Sequence, residues 1–228
     1  MGEQHKRVSI LDGHGLFTEL IAQVLVRHGY RCRVVEAGSL SSVAIVRAVV
    51  ASQPEAVVAS LDLHSTHSDG GAVLHELAKT HRVLAVLEAG GPSRYGQALD
   101  LGAHGVATKT MPLNEFLAMI RKTMTGAPVI ERQERTRLIG LYRQQRGARA
   151  VATHRLESLS AQERDVLRHL MAGHGVREMA LLRVVSEHTV RTQVRAVLTK
   201  LDVSSQVEAV AVAWANGWGA ASELGRTA

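Results

Sequence analysis

Short β-branched runs alternate with longer amphipathic runs over residues 1–125, and this alternation limits the possible folds more than any other feature of the chain. In the longer runs, apolar residues recur three and four positions apart, which is the spacing of an amphipathic helix. The runs predicted as strands cover residues 8–11, 33–35, 56–61, 83–87 and 105–108. Five such repeats predict an α/β fold with a doubly wound, parallel five-stranded sheet.

Polar residues fall where the predicted strands end. In a doubly wound sheet the functional crevice lies at the carboxyl ends of the strands, so these residues are expected to share one pocket. They are Asp12, either Ser60 or Asp62, Glu88 and Lys109.

The pattern changes to purely helical at about residue 156 and continues in four short segments. Ser160 and Glu163 have the spacing of a capping box at the start of the first segment. Ser205 and Glu208 have the same spacing at the start of the fourth. We therefore predict a small all-α domain at the end of the chain.

A basic, Arg- and Gln-rich segment at 126–154 separates the two patterns. Residues 131–154 carry six Lys or Arg against two Asp or Glu, and so hold four of the six net positive charges. This composition is typical of a surface that binds a polyanion, and equally of a solvated helix face. The segment is either an ordered helix or a flexible tether. The predicted organisation is a sheet domain at 1–125, this linker, a helical domain at 155–220 and a tail at 221–228.

Several short motifs keep their spacing across the helical domain. They are Leu-Ser-x-x-Glu-Arg-Asp-Val-Leu at 159–167, Gly173, Glu-Met-Ala at 178–180, Ser-Glu-x-Thr-Val-Arg-Thr-x-Val at 186–194 and Lys-Leu-x-Val at 200–203. With these motifs the domain resembles the LuxR-type helix-turn-helix. The resemblance implies that the third helix enters the major groove of DNA while its flanks hold the phosphate backbone.

Candidate DNA contacts lie on this third helix, which Ser186 is expected to cap. They are Thr189, Arg191, Thr192, Gln193, Arg195 and Lys200. Arg191 and Arg195 are one turn apart, and an Arg can donate two hydrogen bonds to a guanine edge. Thr189 and Lys200 are placed for phosphate contacts at the two ends of the helix.

The turn before the third helix departs from the family pattern. Arg183 and Val184 stand where the family usually has Leu-Gly, and Asp202 replaces a second Gly further on. Gly takes positive φ at little cost, whereas Val does so poorly. We therefore expect this turn to be remodelled.

Together with that domain, the five βα repeats resemble the receiver domain of the NarL/FixJ family of two-component response regulators. The resemblance implies a site made of an acidic pair for Mg²⁺ after strand 1 and a phosphoacceptor Asp after strand 3. It further implies a Thr or Ser after strand 4 and a Lys after strand 5.

Most parts of that site are altered here. Asp12 keeps one carboxylate of the pair, but Gly13 replaces the other, so Mg²⁺ binding is expected to be weak or lost. The acceptor position falls on Ser60 in the favoured register and on Asp62 in the alternative one. Glu88 replaces the hydroxyl residue and is expected to pair with the surviving Lys109. In addition, Val106 replaces the aromatic switch residue, and Thr110 stands at the usual Pro position.

These features predict a sequence-specific, DNA-binding transcription regulator that acts independently of aspartate phosphorylation. Two alternatives stay open: a small-molecule effector in the receiver pocket, and conventional phosphorylation at Asp62. No catalytic or metal-binding constellation is evident, so we expect no enzyme activity and no cofactor. Two-fold operators match two-fold proteins, which predicts a homodimer on double-stranded DNA. The chain has no secretion signal and no apolar run of the roughly 18 to 20 residues that a membrane span needs, so a cytoplasmic protein is expected.

Overall fold

The structure, a computed structural model, describes residues 6–63, 65 and 67–218. Its contacts divide the chain into two compact units, residues 1–144 and 145–228. The segment predicted as a tail, 221–228, lies outside the described residues. No helix in the described part of the chain is long and apolar enough to cross a membrane.

The first unit is a five-stranded parallel sheet with helices on both faces, as predicted. Its elements are β1 (Arg7–Asp12), α1 (Gly15–Arg27), β2 (Arg31–Glu36), α2 (Ser42–Ala51), β3 (Ala56–Ser60), α3 (Gly70–Ala78), β4 (Val83–Leu87), α4 (Pro92–Asp100), β5 (Gly105–Thr108) and α5 (Leu113–Thr125). The strand order is β2-β1-β3-β4-β5, and every pair is parallel. Buried side chains of α1 and α5 cover one face, and those of α2, α3 and α4 cover the other.

The central strands β3 and β4 are buried along their whole length. Both sheet faces are covered by helices, so these strands read as continuous apolar runs instead of alternating ones. β3 ends at Ser60, which pairs with Val86 of β4. Ser60 therefore lies at the carboxyl edge of the sheet, and Asp62 lies two residues beyond the end of the strand.

The helix after α5, α6 (Arg132–Glu157), begins within the first unit and packs there against α4. Leu138 is buried, and a Cβ on Gly96 of α4 would overlap the Leu138 carbonyl oxygen. Arg143 donates through Nε to Asp100 Oδ1 at 2.8 Å. The absence of a side chain at Gly96 therefore permits the close approach of the two helices.

The second unit contains the end of α6 followed by four helices, α7 (Ala161–Met171), α8 (Val176–Leu182), α9 (Glu187–Leu201) and α10 (Gln206–Ala215). Its core includes Leu156 from α6, and Val166, Met179 and Val194 from the helices that follow. These helices enclose an apolar core of their own, which the predicted all-α domain requires.

The predicted helix caps are confirmed at two positions and wrong in detail at a third. Ser160 and Glu163 form a complete capping box, and the Ser186 hydroxyl accepts from the Thr189 amide at 3.0 Å. Ser205 accepts from the Glu208 amide, but the Glu208 carboxylate accepts from the amide and hydroxyl of Ser204. The fourth segment thus has a Ser cap without the reciprocal half of the box, because the carboxylate reaches one residue too far.

The expected remodelling of the turn between α8 and α9 is wrong. Val184 itself takes the left-handed conformation, with φ of 53°, and Asp202 does so after α9, with φ of 58°. The Val184 side chain is 90% exposed, so no packing contact is gained in exchange for the backbone strain. The turn therefore keeps the backbone conformation expected of Gly, at the energetic cost of a β-branched residue.

Candidate functional site

Asp12 and Lys109 form a nearly buried ion pair at the carboxyl edge of the sheet. Lys109 Nζ lies 2.8 Å from Asp12 Oδ1, and the Asp12 side chain is only 1% exposed. The Lys109 ammonium also lies 5.3 Å from the centre of the Phe17 ring. Asp12 Oδ2 is buried without a hydrogen-bond partner. The pair is therefore held in a site with little access to water, where removing either charge is costly.

Glu88 and His14 complete this cluster. Glu88 Oε1 lies 3.5 Å from Lys109 Nζ, so the predicted pair of these two residues forms, although Asp12 is the nearer partner. His14 Nδ1 lies 2.9 Å from Lys109 Nζ and 3.2 Å from Asp12 Oδ1. When neutral at Nδ1, His14 accepts from the ammonium, and when protonated there it faces two carboxylates. Two carboxylates and one imidazole thus surround a single lysine.

The side chains of Ser60 and Asp62 have different hydrogen-bond partners. The Ser60 hydroxyl donates to the Asp62 carbonyl at 3.1 Å and accepts from the Asp62 amide at 3.2 Å. The Asp62 carboxylate accepts a charge-assisted hydrogen bond from Arg94 in the first turn of α4. Ser60 thus occupies the end of the strand, and the Asp62 side chain is part of an ion pair with α4.

The residues at this edge do not match the donor set that Mg²⁺ requires. An octahedral Mg²⁺ is usually bound through one or two carboxylates together with phosphate oxygens and waters. Asp12 offers one buried oxygen, since its other oxygen is bonded to Lys109 and to the His14 amide. Gly13 offers no side chain, and among the described residues no group of three or more His, Cys, Asp or Glu is placed to hold a metal ion.

Two open surface depressions lie along the edge strand β2. One is lined by Arg33 to Glu36, Gly38 to Leu40 and Ala48, and the other by Arg7 to Ser9, Arg31 to Arg33 and Ser52. Neither includes Asp12, Glu88 or Lys109. Binding of an effector in the receiver pocket stays a prediction.

In the second unit, α9 has one buried and one exposed face. Val190, Val194, Val197 and Leu201 are buried in the core. The opposite face, here called the reading face, consists of His188, Arg191, Thr192, Arg195 and Thr199, all of them exposed. It combines hydrogen-bond donors and acceptors with two guanidinium groups, which suits the edges of base pairs.

The six predicted DNA contacts differ in how strongly other side chains hold them. Arg191 pairs with Glu187 at 2.8 Å on the helix surface, and Lys200 Nζ lies 2.7 Å from Glu163 Oε2 of α7. Gln193 is half-buried and accepts from Arg183 at the end of α8. Arg195 is exposed and has no ion pair within the described residues, so its guanidinium is not held by another side chain's charge.

Sequence reasoning missed several of these partners. His188 is exposed one turn before Thr192 on the reading face, and its place in the motif was the available signal. His14 follows Asp12 by two residues, which a turn at the end of a strand brings back over the carboxylate. Nothing in the sequence indicated that Arg94 reaches Asp62, because 32 residues separate them.

A family profile described as "Bacterial regulatory proteins, luxR family" matches residues 157–213. The probable transcriptional regulatory protein NarL of Mycobacterium tuberculosis is 30% identical over 210 residues, which cover 91% of this chain and 93% of that protein. The glycerol metabolism activator of Pseudomonas putida is 27% identical over 210 residues, covering 90% of this chain and 93% of that protein.

Among solved structures, a two-component response regulator of the LuxR family from Aurantimonas sp. SI85-9A1 is similar to part of the chain. The TM-score is 0.50 and the identity 19%, and the match covers 60% of this chain and 97% of that chain. At this identity the likeness concerns the fold alone.

Proposed function

The chain belongs to the NarL/FixJ family of DNA-binding response regulators, and from this premise we propose that it regulates transcription without phosphorylation of an aspartate. Members of the family are transcription regulators, so the prediction that the chain is not an enzyme is confirmed. The finer claim concerns the switch, and it rests on the chemistry of the receiver pocket.

The observation that carries the proposal is the Lys109–Asp12 ion pair beside Ser60. A serine at the acceptor position cannot form the acyl phosphate of an aspartate. The lysine that would neutralise a phosphoryl group is already neutralised by Asp12 and lies within reach of Glu88. The carboxylates of Asp12 and Glu88 would also repel a phosphoryl oxygen. The charge of Lys109 is thus balanced by side chains of the pocket itself, which favours one state.

Weak or absent Mg²⁺ binding follows from the same arrangement. Asp12 Oδ2, which has no hydrogen-bond partner, could supply a single metal ligand. The Lys109 ammonium group lies 2.8 Å from Oδ1 of the same carboxylate. A divalent cation placed there would be repelled by Lys109. We therefore propose that the regulator needs no bound metal, and that it works in the cytoplasm where its DNA lies.

DNA reading is assigned to the reading face of α9. Arg195 and Arg191 are exposed one turn apart and can each donate two hydrogen bonds to a guanine. Thr192 lies between them, Thr189 and Ser186 are at the amino end of the helix, and that end suits a phosphate. Lys200 is proposed to contact the DNA phosphate backbone. On binding, its ammonium group would leave Glu163 and pair with a phosphate.

Homodimer formation is supported by α10. Ala209 and Ala213 face the core, yet the other side of this helix is apolar too. Val207 is 79% exposed and Trp214 is 55% exposed, two turns apart on one stripe. A helix with apolar residues on both its buried side and part of its exposed side usually has partners on more than one side. We propose that two copies pair through this stripe about a two-fold axis and so bind a two-fold operator.

The proposal is tested by DNA affinity with and without a phosphodonor. An operator is first selected from random duplexes with the full-length protein, and its affinity is measured by fluorescence anisotropy. Incubation with acetyl phosphate and Mg²⁺ is expected to leave the affinity within about twofold, a free-energy change of roughly 0.4 kcal/mol. Arg195→Gln is expected to weaken binding about 10- to 100-fold. The exposed Arg27 in α1 provides a control, Arg27→Gln, that should retain the wild-type affinity. A tenfold gain in affinity on phosphodonor treatment would refute the proposal.

A further inference from the structure

The middle of α6 is a helical segment that is exposed on every side. Residues 143–151 are all exposed, although they lie in the middle of a helix that runs from Arg132 to Glu157. Ala, Arg and Gln dominate the segment, and these are strong helix formers, so the helix needs little packing to persist. A helix that is polar all round has no apolar face to bury, so a different kind of partner has to be considered.

The charge of this segment has one sign. From residue 143 to residue 156 the sequence contains four Arg, one His and no Asp or Glu. Arg143 pairs with Asp100 in the first unit, and Arg155 pairs with Asp202 in the second. Between them, Arg146 and Arg149 are exposed and have no ion pair within the described part of the chain. These two guanidinium groups, one turn apart, form what we call the basic stem.

The basic stem is carried on the same unit as the reading helix. Leu156 is fully buried in the core of the second unit, and Arg155 Nη2 lies 2.7 Å from Asp202 Oδ2 just after α9. Thr153 donates to Asn216 Oδ1 at 3.2 Å at the end of α10. With a rise of about 1.5 Å per residue, Arg149 and Arg146 lie roughly 10 and 15 Å along the helix from Leu156.

We infer that the basic stem is a second, sequence-independent DNA contact, in which Arg146 and Arg149 bind phosphates flanking the operator. This inference rests on the proposed DNA binding by α9. Exposed guanidinium groups without acidic partners attract the phosphate backbone, and each phosphate neutralised releases counterions. A membrane surface is the less suitable partner, because an interfacial helix needs a broad apolar face and Val151 is the one large apolar side chain between residues 143 and 151.

The contact adds affinity without adding sequence information. Phosphate contacts position a protein on the duplex, whereas base contacts specify the site. Loss of the basic stem should therefore weaken operator and random DNA by the same factor. It should also reduce the slope of log affinity against log salt by about 0.9 for each phosphate contact.

The test measures the affinity of the full chain for its selected operator and for random duplex between about 50 and 200 mM salt, a range over which several phosphate contacts change affinity by orders of magnitude. The stem variant is Arg146→Gln with Arg149→Gln, since Gln keeps the helix propensity. A control of equal charge change, Arg27→Gln with Arg121→Gln, alters two exposed residues in the first unit. Circular dichroism checks that both variants keep the helix content of the wild type.

The expected result is a slope of log affinity against log salt that is smaller by about 1.8 in the stem variant. The ratio of operator to random affinity should stay the same, and the control should keep the wild-type slope. An unchanged slope in the stem variant would overturn the inference, and so would an equal fall in the control, which would indicate net charge alone. Binding of the wild type to anionic vesicles that the stem variant loses, with no change in its DNA slope, would assign the stem to a membrane. If the wild type fails to select any operator, the proposed function itself fails, which is a different outcome.

Discussion

Lys109 and Asp12 form an ion pair 2.8 Å long between the ends of β5 and β1, and the carboxylate is almost completely buried. The family resemblance implies phosphorylation chemistry at these two positions, and here their charges neutralise each other. Under the proposed function, with Ser60 at the end of β3, the pair is a structural element and not part of a switch. Its removal is therefore expected to affect stability first.

Lys109→Met is expected to destabilise the first unit by about 3–5 kcal/mol, because it leaves a buried carboxylate uncompensated. The two Trp residues, Trp214 and Trp218, are both in the second unit, so their fluorescence reports that unit alone. Urea unfolding followed by circular dichroism and by fluorescence then separates the two transitions. Asp12→Asn combined with Lys109→Met should restore most of the lost stability. A single variant as stable as the wild type would contradict the prediction.

Gly96→Ala is expected to loosen the contact between α4 and α6. An Ala in a helix normally adds about 1 kcal/mol of stability relative to Gly. Here, however, the new Cβ would overlap the Leu138 carbonyl oxygen and lie 2.8 Å from Tyr142 Cβ. Hydrogen exchange of the amides at residues 135–143 should become faster. Gly140→Ala is the matched control, since nothing lies within 4 Å of its Cβ, and it should stabilise α6. Equal effects of the two substitutions would show that the helices are not in close contact.

Val184→Gly is expected to stabilise the second unit by about 1 kcal/mol. The φ of 53° is unfavourable for a β-branched residue, and the side chain is 90% exposed, so little packing is lost. Asp202→Gly is not expected to stabilise the unit. Asp tolerates this conformation, and the substitution would remove the carboxylate that pairs with Arg155. The unfolding temperature, followed by tryptophan fluorescence, should rise for Val184→Gly and should not rise for Asp202→Gly. A lower unfolding temperature for Val184→Gly would argue against strain in the turn.

The Glu163–Lys200 pair predicts how the stability of the second unit depends on pH. The Lys200 hydrogen bond is the main cause that lowers the pKa of Glu163 below its ordinary 4.5, with the Ser160 amide as a further donor. A carboxyl with a lowered folded pKa stabilises the fold above its unfolded pKa, and this contribution is lost as pH falls through the folded value. Lys200→Met should therefore lower the unfolding temperature at pH 7, and the difference from the wild type should shrink at about pH 3.

The control for this prediction is Lys122→Met, which removes an exposed Lys from α5 in the first unit. It should leave the fluorescence-detected unfolding of the second unit unchanged at both pH values. A difference between wild type and Lys200→Met that is independent of pH would exclude the charge interaction as its cause.

The elements of the fold were predictable because each is encoded by local periodicity. The alternation of apolar runs predicted five strands where the structure has them, and the Ser160 and Ser186 caps follow from the spacing of a few residues. The pocket members could be named as well, because the carboxyl ends of parallel strands meet at one edge.

The partners of the site residues were less predictable, because side-chain pairing depends on distances that sequence spacing does not encode. Asp62 pairs with Arg94 and Lys200 with Glu163, across 32 and 37 residues. Lys109 was expected to pair with Glu88, but the carboxylate of Asp12 is closer, because the Lys109 side chain reaches past the carboxyl ends of β4 and β3 to the end of β1. The turn at Val184 was mispredicted, since propensity favours Gly at positive φ, yet Val184 itself takes a φ of 53°.

Intact-protein mass after incubation with acetyl phosphate and Mg²⁺ tests the central claim most directly, with Asp62→Ala measured beside the wild type. The account predicts no gain of a phosphoryl group in either protein, because Ser60 stands at the end of β3 and Asp62 is paired with Arg94. A single phosphoryl group on the wild type that is absent from Asp62→Ala would contradict it and would identify Asp62 as a displaced acceptor.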